Sequence, residues 1–425
     1  MPVSDPKVGL LCADCERPTV AANVVSLDSQ AQATPLEKGV FAMALPIYAG
    51  LIYIGAAMVL LGVLLPRIAL LHHLSDNESG LLLMAEFAAT ATGGLVVRGR
   101  LAHVVVGGYV LVSAGLWAAV NLADNAAVLG IGAAGLGLGM VMTATNLLVC
   151  RMFPHSRGAA LSVLNFMWSV GATFCPVVIA QLPAGLSLRS ICGLLSAIST
   201  ICAILVFPAA FRAMRLAPAQ ELKGGRAKVR TIVVASTIAF LYVGTEATLG
   251  GWMSTYAGRS VSWGLIDSEI AAAWFWGALL LGRGLAPFVL QVASESKMQL
   301  FSIVGAGAGV LLIVSAHSPA QLLIGAGTAG FGLAPVFPLT ISLFMRQAAE
   351  SKDASWVLGL AGFGGAILPW LAGAISSLAQ SLRAGLMVAI AAISGMSLLT
   401  LVAFDRSRKP IVDADVPGGV QSVET

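Results

Sequence analysis

Tyr242-Val243-Gly244-Thr245-Glu246-Ala247-Thr248-Leu249-Gly250-Gly251-Trp252 sets one carboxylate in the middle of an apolar run that extends from Thr231 to about Ala257. A run of that length can cross a bilayer, because about 20 residues rising 1.5 Å each span the hydrocarbon core. An ionisable group at that depth costs about 2.5–3.5 kcal/mol on insertion scales, so it marks a functional site with a partner to be found. The flanking glycines let a neighbouring helix backbone come close. The rest of the chain reads as the scaffold that makes a buried Glu246 tolerable and useful.

Composition extends this reading to the whole chain. Its 425 residues are 58% hydrophobic and only 10% charged, with 47 glycines and a mean hydropathy of +0.90. Soluble domains carry about 25% charge, so these values predict a polytopic, all-α integral membrane protein. Cys150, Cys175, Cys192 and Cys202 fall in apolar runs and are expected as small core residues. Cys12 and Cys15 form a lone CxxC without the second pair that a zinc site needs, so no metal is expected. The N-terminal stretch has no apolar core segment and predicts no cleavable signal peptide.

Apolar runs lie at about 40–65, 78–97, 101–121, 126–150, 157–182 and 188–211, and again at 231–257, 268–292, 298–316, 319–345, 354–379 and 384–404. They predict twelve transmembrane helices in two six-helix bundles. Residues 1–36 are expected as a disordered cytoplasmic tail, 37–211 as the first bundle, 212–230 as a basic cytoplasmic linker, 231–405 as the second bundle and 406–425 as a second tail. The linker carries Arg212, Arg215, Lys223, Arg226, Lys228 and Arg230 against Glu221. The loops on the face opposite the linker hold only Arg67, Arg189, Arg259 and Arg383, and Arg283 lies inside a span. The remaining Lys and Arg fall on the linker's face, so the positive-inside rule makes both termini and the linker cytoplasmic, in a plasma (inner) membrane protein.

An internal repeat supports the six-plus-six division. Ala134-Gly135-Leu136-Gly137-Leu138 corresponds to Ala329-Gly330-Phe331-Gly332-Leu333, and the same offset carries Arg151 onto Arg346. Gly171-Ala172 and Pro176 correspond to Gly365-Ala366 and Pro369, and Tyr53-Ile54-Gly55 to Tyr242-Val243-Gly244. Two parallel repeats imply a substrate site at the midplane between them, reached alternately by rocking of the halves.

Two six-span halves, a basic central linker and this glycine pattern resemble the major facilitator superfamily over about 40–405. Four stretches are similar to the fucose-permease-type sugar:proton symporters. They are Tyr242–Trp252, Phe275-Trp276-Gly277 through Leu281-Gly282-Arg283, Asn146 through Pro176, and Phe331-Gly332-Leu333-Ala334-Pro335. The resemblance implies a secondary carrier energised by the proton gradient, with no cofactor. The chain departs from the pattern twice. Gly94-Leu95-Val96-Val97-Arg98-Gly99-Arg100 has Val where the superfamily has an acidic residue, and Phe41–Leu65 lacks the carboxylate those symporters carry in the first span.

Proton coupling needs a carboxylate that is protonated in one state and ionised in another. Glu246 and Glu86 are the candidates. Counted from the outer ends of their spans, Glu246 and Arg283 differ in depth by about one helical turn on consecutive helices, within reach of two long side chains. They are expected either as a pair that opens when Glu246 is protonated or as a permanent pair pinning two helices. Glu86 is expected as a second proton site or as a neutral acid hydrogen-bonded to Thr90 or to a neighbouring helix. Asn146 and Asn165 offer the donors and acceptors that read sugar hydroxyls, with interhelical bonding as the alternative. Trp252, Trp276, Tyr48 and Tyr53 could present rings to the apolar face of a pyranose, and Trp263 and Trp274 are expected as interface anchors. Pro335 and Pro338 should break the tenth span.

These residues predict proton-coupled uptake of a sugar or similar small hydroxylated solute by a monomer whose partners are substrate, protons and the lipid bilayer, with no nucleic acid. The alternative is efflux of an amphipathic small molecule by proton antiport. A non-transporting sensor on the same fold is a third reading. No nucleotide-binding glycine loop, HExxH or GxSxG is present, so no enzyme is expected.

Overall fold

The computed structural model describes residues 35–122, 124–153, 157–183, 185–216, 228–260, 265–347 and 354–405. Among them every regular element is a helix. The helices are α1 (Pro35–His72), α2 (Asp76–Leu95), α3 (Leu101–Asn121), α4 (Asp124–Met152), α5 (Arg157–Gln181), α6 (Leu188–Leu216), α7 (Val229–Ser260), α8 (Leu265–Val289), α9 (Glu295–Val314), α10 (Pro319–Leu333), α11 (Val336–Gln347), α12 (Ala354–Ala379) and α13 (Leu382–Asp405). Residues Met1–Met43 form one unit, described only where α1 begins. The packing below lies within the second unit, Ala44–Thr425.

Each expected span coincides with one helix except the tenth, which is divided into α10 and α11. Pro335 has no N–H to continue the ladder, and the chain turns at Ala334–Pro335 before resuming. Eleven spans are long and apolar enough to cross a membrane, with α10 and α11 counted as one. The helix outside that set is α2, whose composition is diluted by Asp76, Asn77, Glu78 and Glu86 and by small residues. Its start is fixed locally. Ser75 Oγ accepts from the Glu78 N–H while the Glu78 carboxylate accepts from the Ser75 N–H, a reciprocal capping box that makes Asp76 the first helical residue. The expected core cysteines divide: Cys175 and Cys192 are buried, Cys150 and Cys202 half-buried. Cys12 and Cys15 lie outside the described residues.

The internal repeat reappears as repeated backbone contacts. Gly135 of α4 lies against the Glu86 carbonyl of α2, as Gly330 of α10 lies against the Phe275 carbonyl of α8. Gly171 of α5 meets Ile52 of α1, as Gly364 of α12 meets Phe240 of α7, so the equivalent of Gly171 is Gly364 and not the expected Gly365, which faces the side chains of Phe87 and Val243. At all four sites a Cβ would collide with a backbone carbonyl, so the glycines set how closely the helices approach. The result is an all-α fold of two pseudo-symmetric helix sets, α1–α6 and α7–α13. The sets join through α2 against α12 and α5 against α8. They also meet at a crossing of α1 and α7, where a Cβ on Gly62 would lie 2.7 Å from Gly251 Cα.

Burial grades outward from this junction. In α1 78% of the best apolar window is buried, against 28% in α3 and 28% in α6. Those outer helices turn large apolar side chains outward, among them Val110, Trp117, Ile204 and Phe207. Water would penalise such a belt and hydrocarbon does not, so it marks a lipid-facing surface.

Candidate functional site

Glu246 and Arg283 meet. Arg283 donates to Glu246 Oε1 at 3.0 Å, to Ser169 Oγ at 2.9 Å and to the Tyr242 hydroxyl at 3.3 Å. The Arg283 guanidinium also sits 5.5 Å from the centre of the Trp168 ring, the geometry of a cation–π contact. The two side chains keep only 17% and 12% of their exposure. Three helices supply the cluster: Tyr242 and Glu246 are one turn apart on α7, Ser169 follows Trp168 on α5, and Arg283 comes from α8. Counting residue depths along two neighbouring spans was enough to bring this pair together.

The pair lies on the wall of a cavity of about 150 Å³ where the two helix sets face each other. Glu86 of α2, Asn165 and Trp168 of α5, Trp276 of α8 and Phe337 of α11 line it as well. Trp168 and Trp276 pack edge to face with ring centres 5.7 Å apart, and Tyr242 stacks on Phe337 at 5.5 Å. The volume is below the roughly 300–1,000 Å³ of drug-sized ligand pockets, so it suits a small solute or a closed state of a larger site.

Glu86 is 5% exposed, and its Oε2 has no hydrogen-bond partner. The expected bond from Thr90 goes elsewhere, because the Thr90 hydroxyl donates to the Glu86 backbone carbonyl at 2.8 Å. Asn165 lines the cavity, but its amide donates to Leu161 O one turn back. Asn146 does the same with Met142 O and is not among the lining residues. Trp252 is also placed away from the cavity. It is fully buried, and its Nε1 donates to Pro369 O of α12 at 2.9 Å. Tyr48 donates to Ala160 O and Tyr53 to Leu195 O, which turns both hydroxyls into their own helix set. Trp274 is 54% exposed. Trp263 lies outside the described residues.

Sequence reasoning missed the groups that bind the two sets at one end. On the face that carries the α1–α2 connection, Arg67 of α1 donates to Glu269 of α8 at 3.3 Å, and Glu269 is 1% exposed. There too Asp76 of α2 accepts from Arg259 of α7 and from Ser376 of α12, while the Asn77 N–H donates to Ser377 Oγ at 2.8 Å. Gly373 beneath Asp76 leaves the room for that approach. Among the described residues both ion pairs that join α1–α6 to α7–α13 lie at this face. Arg67 and Arg259 are two of the four cations that the sequence leaves there, and that was the available signal.

A profile of the Major Facilitator Superfamily matches residues 47–348. The chain belongs to the Major Facilitator Superfamily. It is therefore a multi-pass membrane protein of a transporter superfamily and not an enzyme. As a whole fold this superfamily member is similar to the E. coli fucose:proton symporter, with a TM-score of 0.61, 17% identity, and coverage of 85% of this chain and 98% of that one. Two sequence relatives are shorter matches. The glucose/mannose transporter GlcP of Bacillus subtilis is 30% identical over 162 residues, 36% of this chain and 38% of that protein. The glucose/galactose transporter of Brucella abortus is 25% identical over 158 residues, again 36% and 38%. The matched region thus spans well under half the length of these sugar transporters.

Proposed function

We propose that the protein is a proton-coupled secondary transporter that takes up a sugar or a similarly small hydroxylated solute by alternating access. The observation that carries the proposal is the Glu246–Arg283 pair on the wall of the central cavity. A carboxylate held by a cation can release that cation when it takes a proton, and Ser169, Tyr242 and the Trp168 ring would then keep Arg283 in place. The sugar transporters among its relatives support the solute class. The two cross-set ion pairs on the α1–α2 face support a state closed at that end, with 37–211 and 231–405 as the moving halves. The distribution of Lys and Arg supports the α1–α2 face as the outer one, both termini as cytoplasmic and the plasma membrane as the location.

The same cavity has Met58, Val59, Leu83 and Met142 on its wall. That apolar lining favours efflux of an amphipathic molecule as the second reading.

Counterflow in proteoliposomes tests the proposal, with D-glucose, D-galactose, D-mannose and L-fucose compared in wild type and Glu246→Gln. Counterflow needs exchange but no net proton movement. Exchange by both proteins, with pH-driven accumulation lost only in Glu246→Gln, is the expected result. Exchange of none of these sugars by wild type would refute the solute class.

A further inference from the structure

The polar groups of the cavity divide by whether the protein itself satisfies them. Arg283 is spent on Ser169, Tyr242 and Glu246, and Asn165 gives its amide to its own helix. Three groups on residues that line the cavity are left over. Glu86 Oε2, Trp168 Nε1 and Trp276 Nε1 are each shielded from solvent and have no hydrogen-bond partner. Their residues are 5%, 7% and 5% exposed. Native interiors leave few such groups, because a buried donor or acceptor without a partner forfeits its full hydration. Finding three on one small cavity therefore calls for a reason.

We propose that Glu86 and the indole N–H groups of Trp168 and Trp276 form the hydroxyl-recognition set of this transporter, separate from the Glu246–Arg283 pair. The inference rests on the transporter reading above and adds which groups touch the solute and what the solute must offer. An indole N–H can only donate, so two of the three positions demand oxygen acceptors. Glu86 completes the set with a carboxyl that accepts from a hydroxyl when ionised. A neutral ring bearing several hydroxyls supplies both kinds of partner. Its apolar face meets the rings of Phe87 and Phe337, which line the same cavity. An organic cation would answer Glu86 and leave both indoles unpaired, which argues against that class.

The two roles separate experimentally. Equilibrium exchange of the sugars named above is measured in proteoliposomes of equal internal and external pH, with Trp168→Phe, Trp276→Phe and Glu86→Gln beside wild type. Phe keeps the ring and the edge-to-face packing and removes only the N–H. Each Trp variant is expected to raise the half-saturation concentration about tenfold, the value of one hydrogen bond in a buried site, and Glu86→Gln about 10- to 100-fold. Monodeoxy analogues of the exchanged sugar provide a second reading on unaltered protein. At least one analogue should lose about tenfold in wild type and nothing further in the variant that lacks the matching group, since both remove the same bond.

Wild-type exchange with all three variants within twofold of wild type would overturn this assignment and leave the sugar-transport reading intact. The assignment also falls if Glu86→Gln exchanges normally but loses pH-driven accumulation, because Glu86 would then serve the proton. If wild type exchanges none of the sugars, the transport reading fails and takes this one with it.

Discussion

Replacing Arg67 by Gln removes one partner of the ion pair with Glu269 and leaves a carboxylate that is 1% exposed without its cation. Removing one partner of a fully buried pair costs about 3–5 kcal/mol, because the remaining charge stays desolvated. Arg67 keeps 17% of its exposure, so part of its field is screened and the cost falls to about 2–3 kcal/mol. In a protein with a single stable state that loss would appear as unfolding. Under the proposed alternating access it would weigh against only the conformation in which α1 and α8 touch at this face. At about 1.4 kcal/mol per decade, the closed-to-open ratio should fall about 30- to 150-fold.

The change can be read at Ser79, which is fully buried on α2 near the same face. In a protein whose native cysteines are replaced, Ser79→Cys should react slowly with a membrane-impermeant maleimide added from that side. Arg67→Gln should raise the rate in proportion to the newly open fraction. The double variant Arg67→Gln, Glu269→Gln removes the desolvated charge as well and should return to within about threefold of the parent, as a coupled pair must in a double-mutant cycle. A single variant no more reactive than its parent, or a double variant as reactive as the single, would refute a charge-based closure.

Trp252→Phe should lower the melting temperature in detergent by the loss of about 1 kcal/mol, since it removes the indole's hydrogen bond to Pro369 O, and should leave sugar exchange affinity unchanged because the indole is away from the cavity. Gly62→Val should cut transport more than about tenfold by forcing α1 away from Gly251, measured against Gly132→Ala, where an added Cβ meets nothing within 4 Å and transport should persist.

What could be read in the sequence followed from chemistry that is local or rare. Twelve apolar runs became helices because each must satisfy its own backbone. Val229–Ser260 extends the expected 231–257 by two residues at one end and three at the other, and Pro335 divides the tenth span as its missing N–H requires. Glu246 and Arg283 were legible because Glu246 is the sole charge in its stretch, Arg283 is the sole cation in its own, and depth can be counted along a helix. The partners of Trp252, Tyr48 and Tyr53 were not, since an indole or phenol can donate to any carbonyl that folding brings near. The outer pairs were hidden differently. Asp76 and Arg259 are 183 positions apart and Arg67 and Glu269 are 202 apart, and all four sit at span ends, where charge is ordinary. Asn146 and Asn165 look like sugar ligands by type, but an amide on a helix can always turn back to the carbonyl four residues earlier.

The break at Ala334–Pro335 gives α11 a mechanical character of its own. Its 12 residues form an arm about 18 Å long beyond the break, ending at the face opposite the Asp76 cluster. Phe337, two residues past Pro335, stacks on Tyr242, which holds Arg283. A rotation of about 10° at the fulcrum would carry the far tip by about 3 Å. If the halves rock as proposed, small rearrangements at the charged pair would act on the short end of a lever whose long end lies at the opposite face of the protein.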